Sequence, residues 1–306
     1  MKPVKPSSDV KRALDISFPL VALESTVITH GLPKPHNLKL AQDMERAVRE
    51  EGATPATVAF LDGQLHIGLS GAELERLANE DVELKAGPRD FARAAVKGES
   101  AGTTVAGTMF ACKNTNIKVF ATGGIGGVHR ESKNDVSADL QALATIQMIV
   151  VCAGAKAILD LPATLEYLET MGVPVVGYGT DEFPAFYSRE SGLDISVRLD
   201  SPEEIVQFAK AHWGAGLQSA VLVANPVPKG EAIPKSEMEP LIRQASKEAM
   251  EQGIHGKKIT PFLLERINKL TNGKSMKANL ALLLNNARLA AQIARAWRAS
   301  EKRKAA

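Results

Sequence analysis

Lys156 has the clearest chemical potential in this sequence, because it stands in the apolar run Cys152-Ala-Gly-Ala-Lys156-Ala. Small apolar neighbours exclude water from an amine, and desolvation favours its neutral, nucleophilic form. Such a lysine can attack an electrophilic carbon and form a Schiff base. The alternative is a lysine at the start of a helix whose amine extends into solvent. The sequence therefore makes Lys156 a candidate nucleophile and leaves the solvated alternative open.

A turn with four glycines lies upstream of Lys156, in the run Thr122-Gly-Gly-Ile-Gly-Gly127. Glycine lets backbone amides approach a ligand closely, and consecutive turn amides can bind an anion. The turn lacks the Gly-Lys-Ser/Thr of a P-loop, and it does not match the dinucleotide fingerprint. We therefore predict a phosphate-binding turn, with simple turn geometry as the alternative.

Three carboxylates are placed to take part in chemistry near these turns. Glu24 follows the apolar run Pro19–Leu23 and is a candidate general acid, with a structural hydrogen bond as the alternative. Asp135 and Asp139 lie four residues apart and can share one helix face, where close carboxylates attract a divalent cation. The alternative for this pair is a helix N-terminus, whose dipole favours acidic side chains.

Further polar residues suit contacts with an anion or with a neighbouring helix. The candidates for a phosphate, unless they are only solvated, are Lys85, Arg89, Thr103 and Thr104. We predict hydrogen bonds between helices for three amides on a Leu- and Ala-rich segment: Asn279, Asn285 and Asn286. We predict loop positions for three histidines that lack the spacing of metal ligands: His30, His36 and His129.

The elements that would position these residues follow an alternating strand–helix pattern. The apolar runs that predict buried strands are Pro19–Leu23, Val119–Ala121, Ile149–Cys152, Val173–Val176 and Ala220–Ala224. Helical patterns separate them, which is typical of an α/β fold with a largely parallel sheet between helices. Asp62-Gly63 between two apolar runs predicts a hairpin, so the sheet should be mixed. Glu24, the glycine turn and Lys156 all follow predicted strands, so one sheet edge can gather them.

Local signals predict the boundaries of several helices. Asn37 is predicted to cap a helix that ends at Gly52, and Ser70 and Glu73 form a capping box. We predict a loop over residues 85–90 and a helix that opens with residues 102–104. After the last strand, the pattern predicts helices at about 236–252, 261–270 and 275–298.

The totals exclude several classes of protein. A net charge of +2 over 306 residues gives no nucleic-acid or membrane signature, and no apolar run is long enough to cross a bilayer. Cys112 and Cys152 form no Cys-x-x-Cys pair, which argues against a zinc site or disulfide framework and favours the cytoplasm. The first residues lack the apolar core of a signal peptide. We divide the chain into a lead-in at 1–17, one domain at 18–298 and a charged tail at 299–306.

Several runs of the sequence, taken together, resemble one known family. They are Leu23-Glu24-Ser-Thr-Val-Ile-Thr-His30, Gly102-Thr-Thr-Val-Ala-Gly-Thr108, Thr122-Gly-Gly-Ile-Gly-Gly-Val-His129, Asp135-Val-Ser-Ala-Asp139, Cys152-Ala-Gly-Ala-Lys156 and Thr260-Pro-Phe-Leu-Leu264. In this order they are similar to the pseudouridine-5′-phosphate glycosidases, also called the indigoidine synthase A-like family. The resemblance extends from about residue 18 to 297.

The resemblance implies an α/β/α sandwich with a mixed, largely parallel central sheet, a homotrimer and a divalent cation, usually Mn²⁺. It also implies reversible cleavage of the C–C glycosidic bond of pseudouridine 5′-phosphate to uracil and ribose 5-phosphate, through a lysine-bound, ring-opened ribose. By resemblance, Glu24 is the proton donor, Lys156 the nucleophile and Asp135 the metal ligand. The resemblance assigns substrate contacts to Lys85, Thr103, His129, Ser137, Ala138, Asp139 and Asn279.

Two other functions remain open on the residues alone. One is a different Schiff-base lyase or aldolase acting on a phosphosugar, and the other is a phosphosugar sensor without catalytic activity. Both would use Lys156 or the phosphate-binding turn, but neither needs a pocket for uracil. The candidate segments for that pocket are Tyr178–Tyr187 and Asn225–Pro234.

Overall fold

The computed structural model describes residues 4–130, 134–254 and 259–305, so residues 1–3 of the predicted lead-in and Ala306 of the predicted tail fall outside it. Among the described residues, the strands are β1 Lys5–Pro6, β2 Leu20–Leu23, β3 Thr54–Leu61, β4 Gln64–Ile67, β5 Leu84–Ala86, β6 Ala101–Thr103, β7 Val119–Ala121, β8 Val128–His129, β9 Ile149–Cys152, β10 Leu159–Asp160, β11 Val175–Tyr178, β12 Val197–Leu199 and β13 Val221–Ala224. The α-helices are α1 Ser8–Asp15, α2 His36–Glu50, α3 Gly71–Asn79, α4 Phe91–Lys97, α5 Val105–Cys112, α6 Ala138–Thr145, α7 Leu161–Thr170, α8 Pro202–Gly214, α9 Lys235–Glu251, α10 Ile259–Leu270 and α11 Lys274–Ala305. A π-helical turn covers Val27–Gly31, and 3₁₀ turns cover Pro88–Asp90 and Lys229–Glu231.

Eleven strands of the described chain form one mixed sheet in the order β1-β4-β3-β2-β7-β9-β13-β11-β12, with β5 and β6 joined beside β3. The strands from β3 to β12 along this order are parallel. The neighbours β4 and β6 pair with β3 in the antiparallel direction. The predicted mixed, largely parallel sheet is confirmed, and so is the hairpin at Asp62-Gly63.

Helices cover the central strands on both faces. Every residue of β2, β7, β9 and β13 is buried, as expected of parallel strands that are covered on both sides and read as continuous apolar runs. The helices α2, α8 and α11 pack together, and α5, α6 and α7 form the second layer. Helix α11 lies along β2, β7 and β9. This sandwich leaves the carboxyl ends of β2, β7 and β9 at one edge of the sheet.

The start of α2 differs from the prediction. The helix begins at His36, after Pro35, so Asn37 is not its cap and His36 is not in a loop. The buried Asn37 amide instead donates to the carbonyls of Ile28 and Ala78, at 3.0 Å and 2.9 Å. These two bonds join α2 to the π-helical turn and to the end of α3. The local sequence around Asn37 does not predict them, because both partners lie in other elements.

Two predicted elements around the antiparallel part of the sheet were also wrong. Lys85 lies in β5 instead of a loop, because β5 pairs with β6. Gly102 and Thr103 lie in β6, and α5 begins only at Val105, with Thr104 as its N-cap. In both cases the pairing partner is distant in sequence, so local signals favoured the wrong structure.

The first and last described segments pack with the rest of the chain. Strand β1 pairs with β4, and Val10 and Ala13 of α1 are buried in the core. Helix α11 continues to Ala305 instead of ending at residue 298. The added residues are mostly alanine and charged residues with good helix propensity, and Arg298 pairs with Glu301 along the helix. Across the described ranges, none of these helices combines the length and the apolar run that crossing a bilayer requires.

Candidate active site

The carboxyl ends of three neighbouring parallel strands open into one cleft. Glu24 follows β2, Thr122 follows β7, and Lys156 follows β9 after a short turn. Strands β2 and β9 both pair with β7, so these ends lie side by side. Two cavities make up the cleft, and Glu24, Lys156, Thr26 and Lys85 line both of them. The predicted gathering of Glu24 and Lys156 at one sheet edge is therefore confirmed.

Two threonine hydroxyls hold the carboxylate of Glu24. The Thr26 hydroxyl donates to one carboxylate oxygen, and the Thr122 hydroxyl donates to the other. Glu24 is only 6% exposed, and Thr122 is fully buried. Ser25, between Glu24 and Thr26, is also buried, and its hydroxyl accepts the backbone N–H of Thr103 at 2.9 Å. The strand end is thus anchored to β6 while the carboxylate faces the cleft in a fixed orientation.

The turn that carries Lys156 is bonded to the glycine turn. The N–H of Lys156 donates to the Ile125 carbonyl, and the N–H of Ile125 donates to the Gly154 carbonyl, each at 3.1 Å. Gly154 has a φ of +82°, and a Cβ there would collide with the Pro184 carbonyl. Both the conformation and the space therefore require glycine. The two turns form one hydrogen-bonded unit, from which the half-buried Lys156 reaches the cleft.

One side of the cleft is a narrow apolar cavity of about 60 Å³. Its apolar lining residues are Val27, Phe186, Pro261, Leu264 and Leu283. The Phe186 ring packs against Gly124, where an added Cβ would lie 2.6 Å from the ring. Asn279, which is 9% exposed, brings an amide from α11. Apolar walls with one convergent amide suit a planar heterocycle.

The other side of the cleft is a wider, polar cavity of about 790 Å³. The predicted site residues on its wall are Lys85, His129, Asp135, Ser137, Ala138, Asp139 and Lys156. Arg89 and Lys113 add two more basic side chains. Cationic side chains and hydroxyls are the groups that bind a phosphate. His129 was predicted in a loop, but it lies in β8, where it pairs with Leu159 of β10.

The buried carboxylate of Asp139 holds together the segments behind this wall by accepting two backbone hydrogen bonds. One of its oxygens accepts the N–H of Ala106 at 2.9 Å, and the other accepts the N–H of Gly126 at 2.8 Å. Ser137 caps α6 by accepting the N–H of Asp139 at 3.2 Å. The amide of Gly126 is therefore used within the protein and does not contribute to the predicted phosphate-binding turn. Asp139 is buried while Asp135 is exposed, so the two carboxylates have different surroundings.

Thr103, which the resemblance assigns as a substrate contact, lies beneath the cleft and lines neither of its two cavities. It is fully buried in β6, and its hydroxyl donates to the Val58 carbonyl at 2.8 Å. Its oxygen also lies 2.9 Å from the hydroxyl of Thr108. The next residue, Thr104, caps α5 and lines the polar cavity. The structure thus places Thr104 on the wall and leaves Thr103 in the support below it.

Helix α11 holds the glycine turn from the opposite side. The fully buried Asn286 donates its amide to the Thr122 carbonyl at 2.8 Å and accepts from the Asn225 amide at 2.9 Å. Asn285 donates to the Pro226 carbonyl at 3.3 Å. The predicted helix-to-helix bonds are therefore wrong for Asn285 and Asn286, because these two amides bind the loops after β7 and β13. Asn225 thus serves the wall of the site, whereas Phe186 in the other candidate segment lines the cavity itself.

Asp135 is the expected metal ligand, and its carboxylate faces the polar cavity. Within the ranges the structure describes, no group of three or more His, Cys, Asp or Glu side chains is arranged to hold a metal ion. A cage of protein ligands is therefore not formed by these residues. One exposed carboxylate beside a wall of cationic side chains and hydroxyls fits a hard divalent cation that keeps most of its waters.

Arg130, to which the sequence analysis gave no role, fixes the segment that follows Lys156. Its guanidinium donates to the carbonyls of Ala157 and Leu159 at 3.1 Å and 3.0 Å. It also donates to the Glu239 carboxylate on α9 at 2.8 Å. Burial alone would raise the pKa of Glu239, but the hydrogen bonds and charge of Arg130 hold that pKa below its usual value. Arg130 therefore joins the segment after Lys156 to a helix far along the chain.

Of two further cleft residues, Thr26 was given no role from the sequence, and Phe186 was included only as part of the candidate segment Tyr178–Tyr187. Thr26 belongs to the polar run Glu24-Ser-Thr26 that follows β2. A hydroxyl at the carboxyl end of a buried strand could have been recognised as a candidate site residue. Phe186 has a φ of +61°, a conformation that sequence patterns do not reveal for an aromatic residue. Its position depends on the fold around Gly124 and Gly154.

The sheet, its two helical layers and the lysine–glutamate cleft define an α/β/α protein with a site at the carboxyl edge of its parallel strands. The chain belongs to the family described as indigoidine synthase A like protein, whose model matches residues 9–296. The membership expected from the sequence motifs is therefore confirmed.

Named relatives and solved structures are similar to the chain over nearly its whole length. The pseudouridine-5′-phosphate glycosidase of Geobacillus kaustophilus is 53% identical over 292 residues, which cover 94% of this chain and 97% of that protein. The protein of the same name from Caldanaerobacter subterraneus is 52% identical and covers 94% of both chains. An indigoidine synthase A-like protein from Thermotoga maritima superposes with a TM-score of 0.88 at 37% identity, covering 96% of both chains. The prealnumycin C-glycosynthase, solved with ribulose 5-phosphate, superposes with a TM-score of 0.91 at 36% identity, covering 99% of both chains.

Proposed function

We propose that this protein is an enzyme that reversibly cleaves the C–C glycosidic bond of pseudouridine 5′-phosphate to uracil and ribose 5-phosphate. The observation that carries the proposal is the placement of Lys156 and Glu24 where an apolar and a polar cavity meet. A nucleotide needs an apolar space for its base, a polar space for its phosphate, and the reacting groups between them at the sugar. The relatives that share about half of its sequence bear the name of this activity.

Glu24 and Lys156 provide the two groups that cleavage of a C–C glycosidic bond requires. A C–C glycosidic bond leaves no heteroatom on the base for an acid to protonate, so the two-carboxylate scheme of ordinary glycosidases does not apply. Glu24 gives a proton to the ribose ring oxygen as the C1′–O bond breaks, and the Lys156 amine bonds to C1′. The nitrogen lone pair then breaks the bond to C5 of uracil, which takes a proton. Water hydrolyses the remaining imine to ribose 5-phosphate and the free amine.

The cavities assign the parts of the substrate. Uracil occupies the apolar cavity between Phe186 and Leu283, with the Asn279 amide in reach of its polar edge. The phosphate occupies the polar cavity, where Lys85, Arg89 and His129 supply positive charge or donors. The reacting C1′ then lies beside Glu24 and Lys156, which border both spaces.

The spectrum of the base tests this function directly. Mixing the protein with uracil and ribose 5-phosphate should shift the ultraviolet absorbance towards that of pseudouridine. A protein that forms a reducible imine with ribose 5-phosphate but leaves the spectrum unchanged is another phosphosugar lyase or aldolase. Binding of ribose 5-phosphate with neither result indicates a sensor.

The cation, expected to be Mn²⁺, is part of the proposal. Asp135 would hold it through one carboxylate and bridging waters, and the ion would offset phosphate charge. We expect chelation to lower turnover by at least about tenfold, with recovery on adding Mn²⁺. We also expect Asp135→Ala to lose Mn²⁺ binding in calorimetry, whereas Asp43→Ala on α2 binds it normally. Full activity of Asp135→Ala in chelated buffer contradicts the metal site.

A homotrimer and a cytoplasmic location complete the proposal. The trimer rests on the resemblance of the sequence motifs to the family. A reducing compartment is supported by Cys112 and Cys152, which are both free and buried. Burial raises the pKa of each thiol to about 12, so neither thiol is reactive at neutral pH.

Arg130→Met tests the support of the nucleophile turn. The change removes the bonds to the Ala157 and Leu159 carbonyls and leaves Glu239 without its closest cation. We expect unfolding free energy to fall by about 1–3 kcal/mol and kcat by about tenfold or more, because the lysine loses its alignment. Denaturant unfolding and steady-state kinetics measure the two effects.

Arg243→Met is the matched control for that experiment. Arg243 also pairs with Glu239, at 3.8 Å, but its side chain is 70% exposed. We expect its replacement to leave kcat unchanged. Equal kcat values for the two variants would remove the positioning role of Arg130.

A further inference from the structure

A third cavity of about 400 Å³, here called the outer cavity, adjoins the apolar cavity. The outer cavity shares no wall residue with the polar cavity, and neither Glu24 nor Lys156 lines it. It shares five wall residues with the apolar cavity: His30, Gly31, Pro261, Leu264 and Asn279. The polar, apolar and outer cavities therefore follow one another, and the reacting side chains lie at the junction of the first two.

An aromatic pair extends along the wall from the apolar cavity to the outer cavity. Phe186 lines the apolar cavity, and its neighbour Tyr187 lines the outer one. Their rings meet edge to face, with centroids 4.8 Å apart. Heterocyclic bases pack favourably against aromatic rings. A base can therefore stay in contact with an aromatic side chain as it moves from one cavity to the other.

The two ends of the cleft differ in charge. The cationic residues on the wall of the polar cavity include Lys85, Arg89, Lys113 and Lys156. Among the residues that the structure describes, no lysine or arginine lines the outer cavity, and its carboxylate, on Glu265, is exposed. Its wall carries neutral polar residues instead, namely Asn268, Ser275 and Asn279. These walls suit an uncharged heterocycle with N–H and C=O groups, whereas a phosphate needs the cations of the other end.

The proposed reaction releases its two products at different times. When the C–C bond breaks, the ribose phosphate stays bonded to Lys156 until water hydrolyses the imine. Uracil is free at that point, but the bound sugar phosphate fills the way to the polar cavity. A base that leaves first must leave by another opening, and the outer cavity adjoins the space where the base is released.

We propose that the outer cavity is the route by which free uracil enters and leaves, while the phosphosugar enters and leaves through the polar cavity. Leu264 and Asn279, which line both the apolar and the outer cavity, border the point where the base passes between them. The inference rests on the proposed function, and it adds that base and sugar use opposite ends of the cleft. The base can therefore exchange with solution while the sugar remains on Lys156.

Isotope exchange at chemical equilibrium tests the order of release that this route allows. Labelled uracil should enter pseudouridine 5′-phosphate faster than labelled ribose 5-phosphate does, because uracil can leave and return while the sugar is still bound. A base that has to wait for the sugar exchanges no faster than the sugar. Uracil exchange at or below the rate of ribose 5-phosphate exchange therefore overturns the proposal.

Met276→Trp tests the position of the route. Met276 lines the outer cavity from α11 and lines neither of the other two, so a larger side chain narrows the outer cavity alone. We expect uracil exchange to fall by about tenfold or more, whereas cyanoborohydride should trap ribose 5-phosphate on Lys156 at the wild-type rate. Met250→Trp, at an exposed methionine on α9, is the matched control and should exchange normally. Unchanged uracil exchange in Met276→Trp, or an equal fall in trapping, overturns the proposal.

Glu265→Trp narrows the same cavity from α10 and serves if Met276→Trp does not fold. Glu265 is exposed and pairs with the equally exposed Lys269, so its replacement should leave the fold intact. Uracil exchange should fall in this variant too, and exchange at the wild-type rate overturns the proposal.

A wild type that traps ribose 5-phosphate but makes no pseudouridine 5′-phosphate contradicts the proposed function. The route is then tested on protein in which the sugar phosphate has been reduced onto Lys156, so that the polar cavity stays filled. Calorimetry should show that this protein still binds uracil. Loss of uracil binding after the reduction overturns the route through the outer cavity.

Discussion

Lys156→Ala should lose essentially all cleavage of pseudouridine 5′-phosphate, by about four orders of magnitude or more in kcat. The expected loss is large because, in the proposed mechanism, the Lys156 nitrogen supplies the electron pair that breaks the C–C bond. Lys85 lines the same two cavities, but it projects from β5 on the far side of Glu24's strand in the sheet order and cannot take the place of the Lys156 turn. Binding of ribose 5-phosphate should persist, since the polar cavity keeps Arg89, Lys113 and His129.

Reductive trapping measures the covalent role separately from turnover. The wild type, treated with ribose 5-phosphate and cyanoborohydride, should gain the mass of one sugar phosphate on the peptide that contains Lys156. Lys156→Ala should gain none. Lys39→Ala, which changes an exposed lysine on α2, is the control and should behave as the wild type. An unchanged wild-type mass, or a modified Lys156→Ala, would eliminate the imine mechanism.

Glu24→Gln should lower kcat by about 10²- to 10⁴-fold, because an amide cannot transfer the proton that opens the ribose ring. Glutamine keeps the shape of the side chain; its oxygen can accept from one of the two threonine hydroxyls, and its NH2 group can donate to the oxygen of the other. The protein should therefore fold normally, with thermal unfolding like that of the wild type. The effect is confined to chemistry, so kcat should fall far more than the affinity for substrate.

The same variant should separate the two catalytic steps. Ribose 5-phosphate in its open form already carries an aldehyde, so it needs no ring opening. Glu24→Gln should therefore still form a reducible imine with it, which intact mass detects. Glu75→Gln on the exposed face of α3 is the control. Loss of trapping at every pH, together with lost ribose 5-phosphate binding, would show that Glu24 shapes the pocket and does not move the proton.

The central part of the fold was predictable because its signals are local. The apolar runs that became β7 and β9 match their predicted bounds, and a glycine stands two residues after the end of each strand. The capping box of Ser70 and Glu73 is present as predicted, since both partners lie within four residues. The placement of Glu24 and Lys156 at one edge followed from parallel strand direction alone.

The parts that could not be predicted depend on partners far along the chain. Asn37 binds the carbonyl of Ala78, 41 residues away, and Arg130 binds Glu239, 109 residues away. Thr103 and Thr104 carry the same functional group, yet strand pairing buries one and leaves the other on the cavity wall. Residue type indicates which contacts a side chain can make, whereas the packing of distant segments decides which of two similar residues faces the cavity.

The bond from Asn286 to the Thr122 carbonyl has a consequence for biosynthesis. Asn286 is translated 164 residues after Thr122, which at roughly 5–20 residues per second is a delay of about 8 to 33 s. For most of that interval β2, β7 and β9 have already been translated without the helix that covers them, and Leu283 is not yet there to complete the apolar cavity. The nascent chain therefore exposes one apolar face of the sheet, and the turn that carries Lys156 lacks its neighbouring helix. In this period we expect the chain to depend most on chaperones.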